Sequence, residues 1–165
     1  LHLATHGVFT GNKIGKSSAE KRTNPIQNPY LNSMLFWAGA QYTLDSMTTV
    51  PDAEDGILTA LEALNLQLDQ TEIVVLSACE TGLGNISNGE GVYGLQRALQ
   101  AAGAHAVLMS LWKVEDEVTR ELMVLFYQQW LDGTPRRDAL RMAQQKIKEK
   151  YELPIYWGAF VLIGE

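Results

Sequence analysis

Ile73-Val74-Val75-Leu76-Ser77-Ala78-Cys79-Glu80-Thr81-Gly82 passes from uncharged, β-branched residues into turn formers. A short apolar run bounded in this way predicts a strand buried on both faces. The chain's one cysteine, Cys79, closes the run, and an acid and the glycines Gly82, Gly84, Gly89, Gly91 and Gly94 follow. A loop and then a helix are expected there. In an open parallel sheet, ligands bind beyond the carboxyl ends of the strands. Cys79 is therefore expected on that edge.

Working outward, Leu1 to Thr5 reads as a strand ending at His6-Gly7. The opening has the look of a strand already under way, so earlier strands of the sheet are expected to be missing. Residues 8–33 are polar, carry Gly11, Gly15, Pro25 and Pro29, and predict a long surface loop. Met34 to Ala38 reads as a short strand, and Tyr42 to Val50 is left open. Ile57, Leu61 and Leu64 fall on one helical face, with Asp52 and Asp55 ahead of it as caps. Val92, Leu95, Ala98, Leu99 and Ala102 share a face of a second helix, which Gly103 ends. Ala106 to Leu111 is the next strand. A helix follows from Glu115 to Leu131, its first turn crowded with acids that suit the positive end of the dipole. Gly133 stops it. Thr134 as cap and Pro135 at the first position open another helix, and Phe160 to Ile163 reads as a last strand. The alternation predicts an α/β layered fold with a mainly parallel central sheet.

The chain has 165 residues, 46% of them hydrophobic, which suits one domain with a real core and excludes a disordered segment. Net charge is −6, with 13 basic against 19 acidic residues, opposite to the balance of a nucleic-acid binder. One cysteine excludes an internal disulfide and fits a reducing compartment, the cytoplasm. No cysteine cluster points to a metal, no cofactor is implied, and no apolar run has the length of a membrane span.

Two strand ends carry chemistry, His6-Gly7 and Ala78-Cys79. If their strands are neighbours, a thiol and an imidazole emerge at one edge, the minimum for covalent cysteine catalysis. The thiolate attacks a carbonyl carbon and the imidazolium protonates the leaving amine. The backbone N–H groups of Gly7 and Cys79 are candidates to hold the oxyanion. Against this stands the ordinary use of a free cysteine as a small buried hydrophobe. His2, on a strand, and His105, ahead of one, read as structural. Gly89-Glu90-Gly91-Val92-Tyr93-Gly94 matches the dinucleotide pattern G-x-G-x-x-G. However, it stands well beyond the strand where that fingerprint needs a tight turn, and Glu90 would set a carboxylate against a pyrophosphate.

Ala4-Thr5-His6-Gly7, Val75 to Gly82, Gly89-Glu90-Gly91, Ser110-Leu111-Trp112 and Trp157-Gly158-Ala159-Phe160-Val161-Leu162 together resemble a CHAT domain. This is the caspase- and separase-related peptidase module, often found after tetratricopeptide repeats in bacterial proteins. The likeness spans nearly the whole chain. It implies a caspase-like layered sandwich, of which residues 1–165 would be the C-terminal part. It also implies a cysteine endopeptidase with Cys79 as nucleophile, His6 as general acid and no third triad member. Leu111 to Asp116 resembles the separase segment that binds the side chain before the cut, so the resemblance makes Asp116 a substrate-binding residue and cleavage after Arg or Lys an expectation. Glu80 is a second acid for that role. The partners implied are a protein or peptide substrate and an upstream repeat or sensor region, with no nucleic acid and no membrane. The alternative is a catalytically silent module whose groove binds a peptide or a partner domain.

Overall fold

The computed structural model describes residues 1–9, 30, 33–46, 55–77 and 90–164. Its centre is a four-stranded sheet in the order β1-β5-β6-β7, built from β1 (His2–Leu3), β5 (Val74–Leu76), β6 (Ala106–Ser110) and β7 (Phe160–Gly164). The first three run parallel, with His2 opposite Val75 and Val75 opposite Leu108; β7 is antiparallel to β6. Every residue of β5 and β6 is buried, as expected of strands covered on both faces.

Side chains alternate across a strand, and that alternation divides the core. Ile73, Val75, Ala106 and Leu108 face α4 (Asp116–Leu131) and α5 (Arg136–Lys150), packing with Val118, Leu122, Phe126, Ala143 and Ile147. Val74, Leu76, Val107 and Met109 face the other way, onto Leu95, Ala98 and Leu99 of α3 (Glu90–Ala101). The result is a sheet between two helical layers. Lys150 and Glu121 join α5 to α4 at 2.7 Å. The bond to Glu121 pushes the Lys150 ammonium up to about 12 and holds the Glu121 carboxyl below its ordinary value.

Three readings of the sequence need correction. Leu1 to Thr5 is not one strand ending at His6-Gly7. The chain bends at Thr5, whose hydroxyl donates to the Phe36 carbonyl, and His6 opens β2 (His6–Phe9). β2 pairs antiparallel with β3 (Ser33–Phe36), and β3 with β4 (Ile57–Thr59), forming a second, three-stranded sheet. Residues 8, 9 and 33, read as loop, thus belong to strands; of the rest of that loop only residue 30 lies among the described residues.

Ile57 to Leu64 is not one helix. Ile57–Thr59 is strand, and Thr59 caps α2 (Ala60–Ala63). Its hydroxyl accepts from the Glu62 N–H at 3.2 Å, and the Glu62 carboxylate accepts from the Thr59 N–H at 2.8 Å. This is a capping box, and its Thr-x-x-Glu signature was present in the sequence. Asp55 accepts from the Ile57 N–H at 2.8 Å, so it caps a turn that leads into a strand. Asp52 lies outside the described residues.

The remaining differences are small. α1 (Ala40–Ser46) runs into the segment left open, of which residues 47–50 lie outside the described residues. α5 starts one residue later than read: Pro135 takes the cap position and its carbonyl accepts from the Ala139 N–H at 2.9 Å. Gly103, with φ of 109°, ends the α3 turn as expected, and a Cβ there would stand 2.6 Å from the Asp69 nitrogen. No helix among the described residues is long and apolar enough to cross a membrane.

Candidate active site

The site is set by the β1–β5 pair. Because the two strands are parallel neighbours, the chain leaves β1 through Ala4 and Thr5 to His6 at the edge where it leaves β5 through Ser77. A cleft of about 820 Å³ opens there, lined from the strand side by His2, Thr5, His6 and Ser77. From α4 come Asp116, Arg120, Met123 and Tyr127. Their spacing of three or four residues puts them on one helical face.

His6 is exposed on the cleft, and Gly7 behind it is buried in β2 opposite Leu35. Asp116 is exposed and opens α4. It also borders a second cavity of about 740 Å³, together with Trp112, Lys113 and Ile155. His6 and Asp116 therefore share one cleft with Ser77, the residue two before Cys79. Cys79 and Glu80 themselves lie outside the described residues.

The motif blocks around Trp112 and Gly158 have a structural use. Ser110 pairs with Phe160, and the Leu111 N–H donates to the Ala159 carbonyl at 2.8 Å. The Trp112 indole N–H donates to the Ile155 carbonyl at 2.9 Å. A Cβ on Gly158 would meet the Trp112 ring at 3.8 Å and the Pro154 carbonyl at 3.0 Å. Gln144 donates to the carbonyls of Trp157 and Phe160 at 3.0 and 2.9 Å. These contacts brace the turn that delivers Asp116 to the cleft.

Sequence reasoning undervalued His2. Its Nε2 lies 2.7 Å from the Ser77 hydroxyl, and its Nδ1 3.2 Å from the Tyr127 hydroxyl. Burial lowers the His2 pKa and raises that of Tyr127. Period places His2 on the strand face of the site and Tyr127 on the helical stripe of Asp116, but not their contact, which joins two elements 125 residues apart. His105 is exposed and holds its loop through its backbone N–H to Thr71. Of the G-x-G-x-x-G stretch, Gly89 lies outside the described residues. Glu90 opens α3, which places Gly91 and Gly94 inside a helix. Among the described residues no cluster of His, Cys, Asp and Glu suits a metal ion.

The CHAT domain family model matches residues 1–165. Two curated relatives are Tetratricopeptide repeat protein 28 from mouse, 29% identical over 174 residues, and from human, 33% identical over 180 residues. Each alignment covers 99% of this chain and 7% of the relative, so the chain spans a small part of those proteins. Their name carries the repeats expected beside such a module. Both relatives are mammalian, whereas the resemblance implied a bacterial setting.

Proposed function

The chain belongs to the CHAT domain family, and on that premise we propose that it is the chemical core of a cysteine endopeptidase. The observation that supports this most is the parallel β1–β5 pairing, which brings the His6 segment and the residues leading to Cys79 to one edge of the molecule. In this reading the Cys79 thiolate attacks the scissile carbonyl carbon, and the N–H groups of Gly7 and Cys79 hold the oxyanion. The C–N bond breaks as His6 gives its proton to the leaving amine. Water, deprotonated by His6, then cleaves the thioester. Asp116 and Glu80 receive the side chain before the cut, and carboxylates there select Arg or Lys. A thiol kept reduced suits the cytoplasm, where we place the protein, and a repeat region beside the domain is the partner that presents substrate.

A second reading, a silent module that binds a peptide or a partner domain, is favoured by one observation. The α4 side of the cleft carries exposed Val124 and Leu131, an apolar lining that binding without chemistry would also use. The test uses the full-length protein that carries this domain and fluorogenic peptides with Arg or Lys before the cut. Cleavage is expected, with loss of at least about 100-fold in His6→Ala and to background in Cys79→Ala. Undiminished cleavage in Cys79→Ala would remove Cys79 as the nucleophile; failure of the wild type to cleave or to react with an electrophilic peptide would leave the binding module as the function.

A further inference from the structure

Three side chains from three elements meet on the cleft wall. His2 of β1 has both ring nitrogens engaged, Nε2 by Ser77 at 2.7 Å and Nδ1 by Tyr127 at 3.2 Å. The Tyr127 ring lies over the imidazole, with centroids 5.8 Å apart. Tyr127 belongs to the helix that starts at Asp116, and Ser77 precedes Cys79 by two residues. The backbone holds the end of β5 only loosely, with the Ser77 N–H donating to the Leu3 carbonyl at 3.4 Å.

The tautomer gives this chain its direction. A neutral imidazole has one donor and one acceptor nitrogen. With Nδ1 accepting from Tyr127, Nε2–H donates to the Ser77 oxygen; in the other tautomer both bonds reverse. A protonated imidazole donates from both nitrogens, and the Tyr127 and Ser77 oxygens then both accept. The other titratable groups near His2 are Asp116 and Arg120 from α4 and His6 beyond Thr5. From β5, among the described residues, only the uncharged Ser77 faces it.

We propose that Tyr127, His2 and Ser77 are positioning residues for the reaction given above, on which this inference rests. They tie the end of β5 to β1 and to the helix bearing Asp116. Substrate recognition and nucleophile placement are thereby coupled through one imidazole.

Two measurements on the full-length protein need no turnover: amide hydrogen exchange at Ser77, and the rate of Cys79 alkylation by iodoacetamide, followed on its own peptide. Tyr127→Phe keeps the ring and removes the hydroxyl; both rates are expected to rise about five-fold, the share of one hydrogen bond. His2→Ala removes both ring nitrogens and is expected to give the same rise. Ser77→Thr keeps the hydroxyl and restores the alkylation rate that Ser77→Ala changes. With a cleaved peptide, Tyr127→Phe lowers kcat and leaves KM in place. Equal exchange and alkylation across the variants would overturn the proposal, as would faster exchange with unchanged kcat. A wild type inert to the electrophilic peptide removes the peptidase reading alone, because exchange and alkylation still decide the tie.

Discussion

The His2 imidazole and the Ser77 hydroxyl meet at 2.7 Å across the seam between β1 and β5. Register makes this possible: His2 stands opposite Val75, and Ser77, two residues on, shares the Val75 face. That face is the one α4 covers, so Tyr127 reaches the same ring.

The burial that lowers the His2 pKa has a consequence for stability. Between the folded value and the unfolded value of about 6.5, the unfolded chain binds more protons, so stability rises with pH. The His2 contribution is complete above pH ~6.5 and is lost as pH falls through the lower folded value. Urea unfolding of the wild type is expected to weaken over this interval, and His2→Gln to flatten that part of the curve. Parallel curves for the two proteins would show that His2 is not the group concerned.

Asp116 is exposed in the free protein, and exposure limits its worth. A solvated carboxylate paired with a substrate cation contributes roughly 0–1 kcal/mol, more once the bound peptide excludes water. Asp116→Asn is expected to lower kcat/KM for Arg and Lys peptides about five- to ten-fold, with little effect on peptides neutral at that position. Equal losses on both series would separate Asp116 from specificity.

The capping box at Thr59 can be weighed against its neighbours. Thr59→Ala removes the hydroxyl that accepts from Glu62 and is expected to cost about 1 kcal/mol in chemical denaturation. Thr59→Ser is expected to be nearly neutral, since the accepting oxygen remains.

Phe126 is fully buried between the sheet and α5, whereas Leu131 on the same helix is 77% exposed. Phe126→Ala leaves a cavity and is expected to cost ~3–5 kcal/mol. Leu131→Ala should fall within about 0.5 kcal/mol of wild type. Melting temperatures of the two variants check the contrast.

The layered architecture was legible because β5 and β6 are uninterrupted apolar runs and α3 to α5 keep a clean helical period. The second sheet was not legible. β2 and β4 are short and pair with partners across long connections, so neither shows a period of its own. Ile57, Leu61 and Leu64 imitate a helical face across what is a strand and then a capped turn. His6 and Asp116 were found at the cleft because strand ends and helix starts are fixed by topology. His2 and Tyr127 escaped because their roles come from facing each other across elements, a relation no local pattern carries.

His6 begins the small β2-β3-β4 sheet, while Ser77 follows β5 of the large one. Ala4 and Thr5 are the whole span between the two plates. Leu35 of the small sheet is buried with Val74 and Leu76 of the large one, so a change that softens the hairpin plate is felt at the imidazole and in the melting point alike.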